Sequence, residues 1–203
     1  MSIVVNIVSQ TASWIAADGR ASHNGIIVSE NTPKIRKINE HVCVGYTGTL
    51  ETAEKILDKL SAPERKSAFD VADCKSVAVA ICTIVNMSTI AESSKAQFVI
   101  TGVNRGYKMA SYSIGFDGNI HEHIPTNKDP LKTIELSNCT HGLALSDYVL
   151  PEIGTYGVCN NAMKIGMERF IEAVSKRDNS VNTNITFLAL SAPNRPEYMF
   201  QCE

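Results

Sequence analysis

Residues 3–18 read IVVNIVSQTASWIAAD, and their reading decides the fold. Ile3 to Val8 is a β-branched run around the single Asn6, and Trp14 to Ala17 is a second short apolar run. Ser9, Gln10 and Thr11 between them are turn formers, so the stretch is expected to be a hairpin. Asp18-Gly19 marks a turn at its end. Working outward, Ile26 to Val28 gives another short strand, Pro33 interrupts, and Lys34 to Ile38 resumes with apolar positions at 35 and 38. Val42 to Tyr46 has the character of a buried strand and leads into Thr47-Gly48-Thr49.

The period then changes. Leu50, Ala53, Leu57 and Leu60 share one helical face, with Thr49 as N-cap and Pro63 beyond the end. A second helix is expected from Phe69 to Asn86, capped by Ser67 with Asp70. Its β-branched stretch Val77 to Val85 also fits a strand. Phe98 to Val103, Tyr107 to Ile114 and Asn119 to Ile124 form a meander, turned at Asn104-Arg105-Gly106 and Phe116-Asp117-Gly118. A third helix is expected between His141 and Ile153, shortened by Pro151. Asn161 to Val174 is the clearest helix, and Ile185 to Leu190 and Tyr198 to Gln201 are closing strands. Blocks of strands and helices, rather than strict alternation, predict one α+β domain over residues 1–203, with antiparallel sheets and helices packed outside.

The chain has 203 residues, 44% of them apolar, enough for a substantial core. A net charge of −2 with 20% charged residues gives no electrostatic case for nucleic acid or an anionic membrane. No run is long enough for a membrane span, and SIVVNIVS lacks the basic start of a signal peptide. The six cysteines show neither a C-x-x-C pair nor metal-ligand spacing, so reduced thiols in a cytoplasmic protein are expected.

Five histidines (His23, His41, His121, His123 and His141) could serve a serine nucleophile, but no G-x-S-x-G elbow exists. His121-x-His123 puts two rings on one strand face. With no third ligand nearby they read as solvated residues, and no metal is expected. Ser2 needs no histidine. If Met1 is removed, its α-amine, with an ordinary pKa of about 7.7–8.0, can act as the base. Such a nucleophile needs a nearby cation, an anion to hold that cation, and a backbone N–H for the oxyanion. Lys34, Asp18 and Gly48 are candidates in that order, and Gly48 lies just before a helix N-terminus.

The strings IAADGRASHNGIIVSENTPKIRKI and VGYTGTLETAEKI resemble the N-terminal half of a proteasome β-type subunit, and of the bacterial two-ring peptidase that works with an unfoldase ATPase. AMKIGMERFIEAVSKRD resembles that family's last long helix. Ser2, Asp18, Lys34 and Gly48 fall at the family's spacing without a gap. The resemblance implies a four-layer αββα sandwich of two antiparallel sheets flanked by helices, the Ntn-hydrolase fold. It implies Ser2 as nucleophile, Lys34 paired to Asp18, Gly48 as oxyanion donor, and Asp178 supporting the amine. Ser22 and Leu50 match backbone positions that hold substrate as an added strand. Ala21, Thr32, Tyr46, Leu50 and Glu54 would flank the specificity pocket. Three departures stand out: Ser2 replaces the usual Thr, Val181 stands where the family carries a Ser after Arg177-Asp178, and HGLALSDYV is only a distant version of the family's G-S-G-type loop before the third helix.

The resemblance thus implies a cofactor-free peptidase acting on peptide or other amide bonds through an acyl-enzyme. Its partners would be copies of itself in a homo-oligomeric ring and an ATPase. Two alternatives accompany it: a catalytically inert subunit or binding protein that keeps the fold, and an amidase of small molecules.

Overall fold

The computed structural model describes residues 2–23, 26–61, 68–69, 72–87, 96–137 and 141–193. The opening hairpin forms as expected: β1 (Ile3–Val8) pairs antiparallel with β2 (Ala12–Asp18), Val4 opposite Ala17. The Ser9 hydroxyl accepts from the Ala12 amide at 3.0 Å across the turn. β2 pairs on its other side with β11 (Ile185–Ser191), and β1 with β10 (Lys132–Ser137), giving the sheet order β10-β1-β2-β11. A short ribbon, β3 (Ala21–His23) with β4 (Ile26–Ser29), follows β2. The second sheet has the order β5-β6-β7-β8-β9, built from Ile35–Lys37, Val42–Gly48, Ala96–Val103, Met109–Ile114 and Ile120–His123. Every pairing among the described residues is antiparallel.

Three apolar layers separate four structural ones. Ile3, Val5, Ile7, Trp14 and Ala16 turn toward Met163, Met167, Phe170 and Val174 of α4 (Asn160–Ser175), which packs with α3 (Ser146–Tyr156). The alternate residues Val4, Val8, Ile15 and Ala17 meet Cys43, Val99, Val103 and Met109 of the second sheet. The far face of that sheet, including Val44, Phe98, Ile100 and Tyr112, buries α1 (Leu50–Leu60) and α2 (Cys74–Met87). The fold is therefore the αββα sandwich. Both faces of β1 are covered, which explains a strand apolar at almost every position rather than at every second one.

Several expected boundaries move. α2 begins at Cys74, where Asp73 accepts from the Ser76 amide at 2.7 Å and caps it. The expected Ser67 and Asp70 cap lies outside the described residues, as does Tyr198 to Gln201. The β-branched stretch of α2 is helical, because its buried stripe packs on the second sheet. Tyr107 belongs to the turn, at φ 64°, and not to β8. α3 runs through Pro151 to Tyr156 instead of ending near it. Proline there removes the bond to the Asp147 carbonyl and leaves the rest of the helix to continue. β10 was not expected. Only Ile134 and Leu136 of this edge strand enter the core between the sheets, so its apolar signal is faint.

Gly45 of β6 fixes how closely the sheets approach. A Cβ there would lie 2.7 Å from Val4 Cγ1 and 2.8 Å from Ile15 Cδ1. Gly45→Ala is expected to destabilise the protein by about 1–3 kcal/mol through overpacking. Chemical denaturation of the two proteins measures it, and an unchanged midpoint would contradict the close packing at Gly45.

Candidate active site

The site lies where the first sheet meets the segment leading into β5. Asp18, the last residue of β2, is 1% exposed, and its carboxylate collects three donors. Lys34 Nζ donates to Oδ1 at 2.7 Å, and the Ile3 amide donates to the same oxygen at 2.9 Å. The Arg20 amide donates to Oδ2 at 3.0 Å. The pair thus ties Lys34 to the peptide that immediately follows Ser2. Ser2 itself is 4% exposed. Burial lowers the Lys34 pKa from the ordinary lysine value, the charge and hydrogen bond of Asp18 oppose that, and Arg20 adds to it.

Lys34 is held from behind. The Tyr46 amide donates to the Lys34 carbonyl at 3.0 Å, and the Tyr46 hydroxyl donates to the Pro33 carbonyl at 2.8 Å. Tyr46 is therefore a buried support under the lysine segment. Burial first, then the Glu54 carboxylate, push its phenol up to about 12. These contacts run the end of β6 alongside Lys34, and Gly48 closes that strand at φ 96° just before α1. Such a backbone favours glycine and turns the chain sharply into the helix.

The remaining expected residues are spread around this centre. Thr32 is buried, and its amide donates to the Gly19 carbonyl at 2.7 Å. Ala21 is buried and Ser22 exposed on β3. Leu50 is half-buried against the core under α1, while Glu54 faces solvent on the same helix. Asp178 follows α4 and accepts from the Ser180 amide at 2.8 Å. Val181 is 1% exposed in the apolar layer beneath α4.

Sequence reasoning missed the group that ties the Asp178 loop to the Asp18 turn. Asn182 Oδ1 accepts from the Gly19 amide at 2.9 Å, and its Nδ2 donates to Glu30 Oε2 at 2.6 Å. Arg20 Nε donates to the same Glu30 oxygen at 3.0 Å, and an Arg20 guanidinium N–H reaches the Asn179 carbonyl. Arg20 and Asn182 hold the Glu30 carboxyl below its usual range. Residues 20, 30 and 182 have no common spacing that could have flagged them. Beside this clamp opens a neutral polar cleft of about 230 Å³, lined by Asn31, Thr32, Asn184 and Thr186 among others.

Among the described residues no group of three or more His, Cys, Asp or Glu is arranged to hold a metal ion. His123 Nε2 contacts the Ser113 hydroxyl at 2.9 Å, and burial, then His121 and Lys132, lower its pKa. Cys43, Cys74, Cys82 and Cys159 are free thiols, and burial pushes Cys43 up to about 12. No described helix is long and apolar enough to cross a membrane.

Removing Asp18 would leave Lys34 buried without its anion. Asp18→Ala is expected to cost about 3–5 kcal/mol, and adding Lys34→Met should recover most of it. Urea unfolding of the single and double variants checks this. Equal losses in both would mean that the pair is not the source.

The match with a family model, Proteasome subunit, covers residues 2–125. A search of the curated proteins returns no match. Among solved structures, eukaryotic HslV from Trypanosoma brucei is similar at 14% identity and TM-score 0.60, covering 93% of this chain and 99% of its own. Anbu (ancestral beta-subunit) from Yersinia bercovieri is similar at 16% identity and TM-score 0.70, covering 94% of this chain and 81% of its own. The Anbu complex from Pseudomonas aeruginosa, solved as a helical assembly, reaches TM-score 0.69 at 15% identity, covering 93% of this chain and 81% of its own. The likeness to these structures is one of fold, and with the family match over more than half its length the chain belongs to the proteasome subunit family.

Proposed function

We propose that this protein is a proteasome-type N-terminal-nucleophile hydrolase that cuts peptide or other amide bonds through an acyl-enzyme on Ser2, exposed by removal of Met1. The observation that carries the reading is the Asp18 carboxylate, which holds the Lys34 ammonium and the amide following Ser2 on one oxygen. That arrangement sets a cation beside the first residue of β1 and prevents the strand start from fraying.

In this mechanism the freed α-amine takes the hydroxyl proton of Ser2 as Oγ attacks the amide carbon. The Lys34 charge favours the neutral amine and the developing alkoxide. The Gly48 amide donates to the oxyanion. As the C–N bond breaks, the protonated amine passes its proton to the leaving nitrogen, and an ester remains on Ser2. Water, deprotonated by the same amine, then adds to the ester, and Ser2 leaves with the proton. Asp178 supports the amine from the loop after α4. Substrate lies as an added strand along Ser22 and Leu50, with Thr32, Tyr46 and Glu54 near its side chains.

The same reading takes residues 1–203 as one domain that assembles with copies of itself in the cytoplasm and receives substrate from an unfoldase ATPase. The helical assembly of the Anbu complex supports self-association. One observation favours an inert subunit instead: Val181 is sealed in the core where the family carries a Ser.

The deciding experiment is the intact mass of the native protein before and after a β-lactone probe. Loss of Met1 and one adduct on Ser2 are expected. Ser2→Ala should abolish the adduct and reduce peptidase turnover by several orders of magnitude while leaving thermal unfolding unchanged. Undiminished turnover in that variant would sink the proposal, and a native protein that retains Met1 and takes no label would favour the inert subunit.

A further inference from the structure

Within the apolar layer between the two sheets runs a chain of four polar side chains, Asn6, Ser13, Thr101 and Ser111, none more than 1% exposed. They come from β1, β2, β7 and β8, two from each sheet. Asn6 Nδ2 donates to Ser13 Oγ at 2.8 Å and to the Trp14 carbonyl at 2.9 Å. Ser13 and Thr101 hydroxyls meet at 2.6 Å across the gap between the sheets, and Thr101 and Ser111 hydroxyls at 2.6 Å within the second sheet. Ser13 Oγ also reaches the Ile7 carbonyl at 3.2 Å.

Backbone carbonyls of both sheets accept from the chain: that of Ile7 from Ser13 and that of Ala110, at 3.4 Å, from Thr101. The Trp14 carbonyl can only accept, so the amide nitrogen of Asn6 must face it. If Ser111 donates to Thr101, Thr101 to Ser13 and Ser13 to the Ile7 carbonyl, every hydroxyl hydrogen finds an acceptor.

Stability does not explain these residues. Among the described residues Asn6 Oδ1 has no hydrogen-bond partner, so the burial of this side chain is not offset on both its polar atoms. What hydrogen bonds add is direction. Apolar side chains interdigitate between the facing sheets, closest at Gly45, and hydroxyls 2.6 Å apart add an orientation requirement that shape alone does not impose. The position of one sheet over the other matters because the candidate site is divided between them. Ser2 directly precedes β1 and Asp18 ends β2 in the first sheet, while Lys34 leads into β5 and Gly48 ends β6 in the second.

We infer that Asn6, Ser13, Thr101 and Ser111 form a polar lock that sets the stacking of the two sheets, and that they are positioning residues for the site. The inference rests on the proposed function for its catalytic consequence, but the placement of Lys34 against Asp18 can be read without it. Nothing in the chain touches the reacting atoms. Asn6 lies four residues from Ser2, about 13 Å along the strand.

The test compares Thr101→Val, which keeps the shape and breaks the chain, with Thr101→Ser, which keeps the hydroxyl. Two readouts are taken on the native full-length protein, together with thermal unfolding. The first is the NMR signal of the Lys34 ammonium nitrogen. The second is β-lactone acylation of Ser2, separated into binding and maximal rate. Thr101→Val, which leaves the buried Ser111 hydroxyl without its partner, is expected to unfold earlier than wild type yet remain folded at room temperature, to shift or broaden the Lys34 signal, and to lower the maximal acylation rate about 10- to 100-fold at similar probe affinity. Thr101→Ser should restore the signal and bring the rate within about twofold of wild type. A wild-type Lys34 signal in Thr101→Val overturns the lock, as does equal impairment in Thr101→Ser. Should wild-type Ser2 take no label, the proposed function fails, and the Lys34 signal alone still decides the lock.

Discussion

The carboxylate of Asp18 is the constraint on which the site depends. An ionised group with almost no exposure persists only where its charge and lone pairs are matched. Here the match is drawn from three separate stretches of chain: the Lys34 side chain, the backbone after Ser2, and the backbone of Arg20. Satisfying one buried anion therefore orders the start of β1, the end of β2 and the entry to β5 together. The further ring of contacts through Asn182, Glu30 and Arg20 fixes the turn after Asp18 to the loop after α4. A pair of this kind adds little net stability compared with an apolar replacement, so its value lies in geometry.

The four layers give that geometry a rigid frame. Helices cover the outer faces, and the two sheets bury their inner faces against one another, so the strand that follows Ser2 and the strand that ends at Asp18 are held together. Gly45 lets Val4 and Ile15 settle against β6 close to the site. The apolar layer supplies the driving force for stacking the sheets, and the close approach at Gly45 limits the positions in which they fit.

Much of this was legible in the chain, for identifiable reasons. The hairpin announced itself through two β-branched runs around Ser9, Gln10 and Thr11, and α4 through Met163, Met167, Phe170 and Val174 on one face. Asp18 and Lys34 were found by residue type and spacing, and the structure joins them at 2.7 Å. Other features left weak traces. β10 has only two inward apolar residues, and α3 carries a proline that a helix tolerates when its neighbours bury the flanking turns. The support that Tyr46 gives to the Lys34 segment left no trace in the sequence, because the partner of its hydroxyl depends on where Pro33 lies.

By itself the sequence determined most of the strands and helices in their order, the family, and the acid and cation that meet in the candidate site. The elements follow from local periodicity and turn chemistry, and the family from the resemblance of whole motifs, all of which are written along the chain. Only the tertiary structure decided that one Asp18 oxygen would serve both Lys34 and the amide after Ser2, that Asn182 would reach back 163 residues to Gly19, and that Val181 would be sealed in the core. Contacts of that kind arise when distant segments are pressed together by burial, and no spacing in the sequence encodes them before the sheets are stacked.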